Sequence, residues 1–304
     1  MKFFTCLLVL TVIFITGCGP VSTPTNEVPV YGSIPIVATL PAVTELVKQV
    51  GGVRVKVITL TPAGVDPAVF QPGEQDLALL KDARLFFHAG GSYEKAWVEA
   101  AKNQARLTIE IVGGSVKPEQ RLQNPETGAE VEPAFWGDAS LWTLCIEDVL
   151  EALTRADPAS RTSFEQNAAF FREKLRVIHD WSIRRAQEIT PEKRVLVVPT
   201  QTFAYFGKAY GFEVIAATDD TSASKAASVV LEKGIPAVFP VAEFSSEAIA
   251  GVATQSGIRL ASPLYGYGPA RKQNLKNNRG ETYDEANYMG MLKHNLYEIV
   301  DGLP

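Results

Sequence analysis

The alternation of apolar and polar residues near the middle of the chain predicts one long helix. Apolar residues recur there at intervals of three and four, which places them on one helical stripe. The members of this stripe are Phe164, Ala168, Phe171, Leu175 and Ile178. Asp157 is predicted as the N-cap, with Pro158 at the first helical position and the helix running to Ile189. Such a helix spans on the order of 45 Å, more than one small lobe needs.

Strand and helix patterns alternate on both sides of this helix. Before it, the patterns predict strands at 35–39, 54–60, 85–87 and 107–112, helices at 41–50, 74–80 and 141–156, and a polar surface loop at 115–132. After it, they predict strands at 194–198, 213–217 and 237–239 and helices at 203–210, 222–233, 246–256 and 283–300.

This alternation predicts an α/β fold with two lobes, each a parallel sheet flanked by helices, joined by one long spine helix. A single large α/β domain crossed by the same helix is the alternative. In such sheets ligands bind outside the carboxyl ends of the strands, which here places a site between the lobes.

The N-terminal segment has the pattern of a secretory signal. Lys2 precedes an apolar run over 3–15, which is too short to span a membrane. The sequence Ile15-Thr16-Gly17-Cys18 resembles the bacterial lipobox, in which the cysteine is acylated and becomes the mature N-terminus. We therefore expect an extracytoplasmic, membrane-anchored lipoprotein, with simple cleavage and secretion as the alternative. The expected segments are a signal at 1–18, a tether at 19–33, lobes at 34–156 and 191–304, and the spine at 157–190.

Composition adds two bounds. The chain of 304 residues is 46% hydrophobic and carries a formal charge of -5, which argues for a globular protein and against a nucleic-acid surface. Three cysteines are too few for a disulfide framework. Cys6 and Cys18 fall in the N-terminal segment, so Cys145 remains, and its apolar helical context predicts a buried small hydrophobe.

Four motifs occur in a distinctive order around the central helix. They are Asp66-Pro67-Ala68-Val69-Phe70-Gln71-Pro72 with Asp76-Leu77, Phe135-Trp136-Gly137-Asp138, Phe203-Ala204-Tyr205-Phe206 with Tyr210-Gly211, and Thr282-Tyr283 leading to Lys293-His294-Asn295. In this order they resemble the metal-specific solute-binding proteins of bacterial ABC importers, the zinc and manganese uptake lipoproteins. The resemblance implies no cofactor and no enzyme activity. It implies as partners an importer permease, the membrane through a lipid anchor, and a small solute or chelated metal.

The resemblance also implies a metal site of three histidines and one carboxylate, which suits zinc or manganese. The positions that match these ligands are Ala68, Ala134, Thr200 and Tyr267. An alanine methyl group cannot coordinate a cation, so we expect no tight binding of free zinc or manganese. His88, His179 and His294 lie on separate predicted elements, and packing or capping roles are expected for them.

Large aromatic and amide side chains border the place where the ion would lie. The expected ligand-binding residues are Phe70, Gln71, Trp136, Gln201, Tyr205, Tyr265 and Tyr267, with Phe135 beside them. Aromatic walls with a few polar groups suit a small organic ligand or a chelated metal. Alternatively, these rings fill the space of a lost ion and lock the lobes together. The basic residues Arg271, Lys272, Lys276 and Arg279 would favour an anionic ligand if they faced the cleft, or else form a solvated loop.

Three functional classes follow from these patterns. The first is a lipid-anchored receptor that delivers a solute to an ABC importer, with the free-ion site replaced. The second is a non-binding partner or accessory protein of a metal-handling complex. The third is an enzyme, which is the weakest because the sequence has no nucleophile–base pair, phosphate loop or CxxC motif. Neighbouring genes for a permease and an ATPase would distinguish the first class from the second.

Overall fold

The structure is a computed structural model that describes residues 32–71, 73–124, 127–270, 275–277 and 280–303. The predicted signal, lipobox and most of the tether (1–31) lie outside this range, as do Arg271, Lys272 and Arg279. From Ser33 onward the chain forms one compact unit. Within the described ranges, no helix is both long and apolar enough to cross a bilayer.

The first lobe is built on a four-stranded parallel sheet. Its strands are β1 (Ile34–Ala38), β2 (Val55–Thr59), β3 (Leu85–His88) and β4 (Thr108–Ile111), and its helices are α1 (Pro41–Gly51), α2 (Glu74–Asp82) and α3 (Lys95–Lys102). The strand order is β2-β1-β3-β4, and Ile36 pairs with both Val57 and Leu85. Pro41 occupies the start of α1, where its missing amide hydrogen costs nothing, and Gly52 ends the helix with a φ of 55°.

Two long helices follow the first lobe, α4 (Ala139–Ala156) and α5 (Arg161–Ala186). The prediction of one long central helix is confirmed, and all five residues of its apolar stripe are buried. Its start differs from the prediction, because Pro158–Ser160 form a 3-10 turn before the α-helix begins. The Asp157 carboxylate lies beside this turn. It accepts from the Ser160 hydroxyl at 2.6 Å and pairs with Arg54 at 2.7 Å.

The second lobe has the same layered design with shorter strands. Its strands are β5 (Val195–Val198), β6 (Glu213–Ala216), β7 (Ala237–Val238) and β8 (Arg259–Leu260), and its helices are α6 (Ala204–Tyr210), α7 (Asp220–Lys233) and α8 (Glu247–Ser256). Strand β6 pairs with β5, and β8 with β7, both in parallel. The amide of Phe239 donates to the carbonyl of Val197 at 2.9 Å, which joins the two pairs into one layer.

The chain closes with a short ribbon and a helix, namely β9 (Leu275–Lys276), β10 (Thr282–Tyr283) and α9 (Tyr288–Gly302). The sequence predicted that this last helix begins at residue 283. It begins at Tyr288 because the Asn287 side chain accepts from the amide of Gly290 and caps the helix there, while Tyr283 lies in β10.

One buried hydrophobic cluster runs from Ile34 in the first lobe to Leu303 in the second and includes the stripe of α5. A smaller cluster, centred on Phe86 and Trp97, lies on the other face of the first sheet. Parallel sheets covered by helices and connected through α5 confirm the predicted fold class. Cys145 is fully buried in α4, as predicted.

Candidate functional site

The four positions that match the expected metal ligands lie in loops that follow strands or lead into turns. Ala68 is exposed in the loop after β2, where its amide donates to the Asp66 carboxylate at 2.9 Å. Ala134 is buried directly before the turn at Phe135–Gly137. Thr200 is buried after β5, and its hydroxyl accepts from the amide of Thr202 at 3.1 Å. None of these three side chains offers nitrogen or carboxylate oxygen to a cation.

The fourth position, Tyr267, is buried within a cluster of aromatic rings. Its ring centroid lies 5.3 Å from that of Tyr93, 5.8 Å from that of Phe244 and 6.1 Å from that of Trp136. Tyr93 comes from the first lobe, Trp136 from the segment between β4 and α4, and Phe244 from the second lobe. The rings therefore fill the space where the loops of the two lobes meet.

Backbone hydrogen bonds fasten the loop that carries Tyr267 to the first lobe. The amide of Ala42, in the first turn of α1, donates to the carbonyl of Tyr267 at 3.1 Å. Trp136 donates from its indole nitrogen to the carbonyl of Gly266 at 2.7 Å. At Gly268, which has a φ of 136°, an added Cβ would lie 2.3 Å from the amide nitrogen of Ala42. Only glycine permits this close approach.

Glu243 holds the same loop from within the second lobe. It is 8% exposed, and its carboxylate accepts from the amides of Gly266 and Tyr267 at 3.0 and 3.1 Å. Burial raises the pKa of Glu243, and the negative charge of Asp66 acts in the same direction. Burial likewise raises the pKa of the Tyr267 phenol, with Asp66 and Glu243 adding to the effect. Tyr267 is therefore a neutral phenol at physiological pH.

Glu94 has the corresponding role in the first lobe. Its carboxylate is 1% exposed and accepts from the amides of Ala89 and Gly91 at 3.0 and 2.9 Å and from the hydroxyl of Thr39. Burial raises the pKa of Glu94. These bonds fix the loop after β3 that presents Tyr93. The sequence pattern did not indicate Tyr93, Phe244 or Glu94, although Gly90-Gly91 after a buried strand is typical of a strand-end loop.

The seven predicted ligand-binding residues do not form one pocket. Trp136 and Tyr267 are brought together in the aromatic cluster. Phe70 instead stacks on Trp97 at 5.7 Å, in the smaller hydrophobic cluster, and Gln71 beside it is exposed.

Tyr205 and Gln201 lie on another side of the molecule. The Tyr205 ring contacts Phe135 at 5.0 Å, and its hydroxyl accepts from the amide of Leu122 at 3.1 Å. Gln201 is exposed at the edge of a cavity of about 660 Å³ between β6 and the segment that includes Leu122.

Tyr265 borders a different cavity, of about 560 Å³, between the loops of the two lobes. The first lobe contributes Ala63 and Gly64 to its wall, and the second contributes Tyr265, Tyr283 and His294, among others. Lys276 also lines this cavity, so one of the four predicted basic loop residues does reach a cavity wall.

A buried polar network supports that wall. The Tyr265 hydroxyl donates to one oxygen of the fully buried Glu285 at 3.0 Å, and the other oxygen lies 2.6 Å from His294 Nδ1. His294 Nε2 donates to the carbonyl of Pro263 at 2.9 Å, and the Tyr283 hydroxyl lies 3.1 Å from Nδ1. The network fixes the orientation of both tyrosines and of the imidazole.

The three histidines remain separate, as the sequence predicted. His88 ends β3 and stacks on Phe86 at 5.9 Å, and burial together with the charge of Lys102 lowers its pKa to about 4. His179 lies on α5 with its ring 5.6 Å from that of Tyr210. In the part of the chain that the structure describes, no three His, Cys, Asp or Glu side chains are grouped as metal ligands.

Comparisons with known proteins give a consistent result. The family model described as zinc-uptake complex component A, periplasmic (ZnuA), matches residues 36–302. The manganese-binding lipoprotein MntA of Bacillus subtilis is 26% identical over 302 residues, which cover 95% of each chain. The zinc-binding protein TroA of Treponema pallidum is 26% identical over 277 residues, 88% of each chain.

Solved structures agree on the fold. The periplasmic zinc binding protein TroA from Treponema pallidum superposes with a TM-score of 0.80 at 24% identity, over 90% of this chain and 99% of that one. A Mn-bound periplasmic metal binding protein from Candidatus Liberibacter asiaticus gives a TM-score of 0.77 at 21% identity, over 90% of this chain and 100% of that one. The two-lobe α/β architecture is therefore confirmed.

Proposed function

The chain belongs to the zinc-uptake complex component A family of periplasmic proteins, and from this membership we propose that it is the extracytoplasmic solute-binding protein of a metal-type ABC importer. In this role it binds a solute between its lobes and delivers it to the importer permease, without catalysing a reaction. Support comes from the match over 36–302 and from relatives that carry the names of manganese-binding and zinc-binding proteins.

The protein is anchored to the membrane by lipid on Cys18. Support comes from the lipobox-like Ile15-Thr16-Gly17-Cys18 and from relatives whose names include "lipoprotein". Mass spectrometry of the protein extracted from the membrane fraction should show an acylated Cys18 as its first residue, and Cys18→Ala should lose this modification. A membrane-bound wild type with an unmodified Cys18 would exclude lipidation at this residue.

At the position of the family's ion, this protein does not bind free zinc or manganese tightly. The observation that carries this proposal is the burial of Tyr267 between Tyr93, Trp136 and Phe244. A neutral phenol is a poor ligand for zinc, which prefers thiolate, imidazole and carboxylate. Neither alanine nor the bonded hydroxyl of Thr200 compensates for this.

The solute is a small organic molecule or a chelated metal that occupies the cavity beside Tyr265. A volume of about 560 Å³ is in the range of small-molecule sites. Its aromatic wall is held rigid by Glu285, which reduces the entropy lost on binding. Of the expected ligand-binding residues, Tyr265 borders this cavity.

Thermal shift and titration calorimetry on the anchor-free protein test this proposal. Zinc or manganese chloride should give no stoichiometric submicromolar binding. Metal chelates and small organic acids and amines should include a compound that raises the melting temperature by mass action. Tyr265→Ala should abolish that shift, whereas Leu231→Ala, on the exposed face of α7, should not.

Two results would contradict the proposal. A stoichiometric submicromolar zinc or manganese site in the wild type would show that the family's ion function is retained. A ligand whose stabilisation survived Tyr265→Ala would exclude the cavity.

The packing of the two lobes against each other favours a second candidate function, that of a non-binding partner in a metal-handling complex. The aromatic cluster and the Trp136–Gly266 hydrogen bond lock the lobes without any ligand. Co-purification of a permease with the wild type, together with a screen in which no compound shifts the melting temperature, would favour this candidate.

A further inference from the structure

Besides its buried apolar stripe, α5 has an outer face that carries exposed apolar residues next to basic ones. Phe170 is 64% exposed and Val177 is 52% exposed, although both are large apolar residues. With Lys174 and Trp181 they follow each other at intervals of three and four, so they lie on one helical face. A groove of about 340 Å³ separates this face from α9. We call this surface the α5–α9 face and define it by Phe170, Lys174, Val177, Trp181, Arg184 and Lys293.

The charge of the α5–α9 face is opposite to that of the whole chain. In the described part of the chain, the groove is lined by Lys174, Arg184 and Lys293 and by one acidic residue, Glu173, whose carboxylate is bound by Arg176 at 2.7 Å. Among the described residues, none of the three cations forms an ion pair. Lys174 also interacts electrostatically with Glu45, and the three basic side chains leave the face positively charged on a protein whose net charge is -5.

The cations are positioned beside the exposed rings. Lys174 Nζ lies 4.5 Å from the centroid of Phe170, and Lys293 Nζ lies 5.9 Å from that of Trp181. Apolar side chains next to lysine and arginine, with a tryptophan among them, are the composition of helices that lie in the interface of a bilayer. The long lysine side chains can reach headgroups while the rings enter the boundary of the acyl chains.

The folded unit begins close to one end of α5. Strand β1 enters the fold at Ile34, which pairs with Val55. The turn before Val55 includes Val53, which is 95% exposed, and is held near α5 by a 3.0 Å hydrogen bond from Asn167 to the carbonyl of Val50. An extended chain from Cys18 to Ile34 reaches at most about 55 Å. An anchor at Cys18 therefore keeps the whole folded unit, including the α5–α9 face, within reach of the bilayer.

From these observations we propose that the α5–α9 face binds the anionic phospholipid surface of the membrane that carries the anchor. The proximity argument rests on the lipid anchor of the proposed function, whereas the charge and the exposed rings do not. Anionic headgroups interact with Lys174, Arg184 and Lys293, and Phe170, Val177 and Trp181 enter the interface. The lipid anchor and this face together provide the two weak signals that stable peripheral binding requires.

Tryptophan fluorescence can observe this contact directly. The chain has four tryptophans, and Trp97, Trp136 and Trp142 are at most 1% exposed. Trp181 is only partly buried, so it should dominate any response to added vesicles. The experiment uses residues 19–304 without the anchor, because the chain from Ser33 onward forms a compact unit by itself.

Vesicles of phosphatidylglycerol and phosphatidylcholine are compared with vesicles of phosphatidylcholine alone. The anionic vesicles should co-sediment with the protein and shift its emission to the blue, and the neutral vesicles should do neither. Binding should weaken as salt rises, because screening shortens the range of the headgroup field. Since neither lipidation nor solute binding is needed here, failure of the proposed function would not change this result.

Two double variants distinguish the contribution of the basic residues to vesicle binding from that of the apolar residues. Lys174→Gln with Lys293→Gln should weaken binding about thirtyfold, given the usual effect of two basic residues at an anionic surface. Phe170→Ser with Val177→Ser should abolish the blue shift and reduce co-sedimentation. The matched control, Leu231→Ser with Lys225→Gln, removes an exposed apolar residue and a lysine from α7 and should bind as the wild type does.

Several outcomes would overturn the proposal. Equal binding to neutral and anionic vesicles would do so, as would equal loss in the α7 control. If no vesicle bound and sedimentation showed a dimer that Phe170→Ser with Val177→Ser dissociated, the face would be a self-association surface and not a membrane surface.

Discussion

The indole nitrogen of Trp136 donates to the backbone carbonyl of Gly266 at 2.7 Å, although 130 residues separate the two along the chain. Tyr288 in turn donates from its hydroxyl to the carbonyl of Trp136, also at 2.7 Å. Trp136 is therefore bonded to the loop of Tyr267 through its side chain and to the last helix through its backbone. These two hydrogen bonds of Trp136 tie the segment between β4 and α4 to the second lobe.

Trp136→Phe should lower the free energy of unfolding by about 1–3 kcal/mol. Phenylalanine retains much of the ring packing but leaves the buried carbonyl of Gly266 without this donor. Urea denaturation followed by circular dichroism measures the change. Trp181→Phe is the control, because that ring is partly exposed, and it should change the stability by no more than about 0.5 kcal/mol. Equal effects of the two substitutions would contradict a role for the hydrogen bond.

A pair of helical glycines should respond in opposite directions to alanine. At Gly290, in the first turn of α9, an added Cβ would lie 1.6 Å from the carbonyl oxygen of Asp284. At Gly251, within α8, nothing lies within 4 Å of an added Cβ. Gly290→Ala should therefore destabilise the protein by about 3 kcal/mol or more, and Gly251→Ala should stabilise it by about 0.5–1 kcal/mol. Thermal unfolding of both variants checks this, and a stable Gly290→Ala protein would show that α9 can shift away from Asp284.

His88 should make the protein less stable in mild acid. Burial and Lys102 lower its pKa from 6.5 to about 4 in the folded state. Between these values the unfolded chain binds a proton that the folded chain does not. The stability that His88 contributes is therefore complete above pH 6.5 and is lost as the pH falls toward 4. The loss is at most about 3 kcal/mol, and less where water reaches the ring.

His88→Phe should flatten the dependence of stability on pH between 6.5 and 4. The raised pKa of Glu94 has the opposite effect, because a buried carboxyl group holds its proton more tightly in the folded state. That contribution is present in both proteins, so the difference between their curves isolates His88. Identical slopes in urea titrations across this pH range would show that His88 is not the group responsible.

A zinc site should be restored by returning the expected ligands. A protein with Ala68→His, Ala134→His, Thr200→His and Tyr267→Asp presents three imidazoles and a carboxylate, a set that binds zinc. It should bind one zinc ion with submicromolar affinity in calorimetry, whereas Ala68→His alone should not. Because Ala134 is buried, circular dichroism must first show that the variant folds. A folded variant without zinc affinity would mean that the four positions do not converge.

The sequence predicted the elements whose signals are local. Helix α1 was predicted to within one residue because Pro41 and Gly52 mark its two ends. Helix α3, in contrast, was missed. It has only eight residues, and its N-cap position, Glu94, makes no capping hydrogen bond and instead binds the preceding loop. A short helix without a capping signal differs little in pattern from a loop.

The candidate site was less predictable because it depends on long-range packing. Tyr205, in α6, and Phe70, in the loop after β2, were both expected at the site, but packing directs each ring elsewhere. Tyr205 turns toward Phe135, and Phe70 toward Trp97. Two of the rings that surround Tyr267, those of Tyr93 and Phe244, belong to residues 174 and 23 positions away in the chain. No local sequence pattern predicts contacts between residues so far apart in the chain.

The buried thiol of Cys145 can be used to measure local unfolding of the protein. Of the three cysteines, Cys6 and Cys18 belong to the N-terminal segment, so a protein of residues 19–304 has a single thiol. That thiol is fully buried, with its sulfur 3.6 Å from the carbonyl of Leu141, and burial raises its pKa. A thiol reagent can reach this sulfur only when α4 separates from the core. The rate of labelling therefore measures local opening of the native state. With no second thiol in residues 19–304, no disulfide can cross-link this unit, so noncovalent packing holds it together.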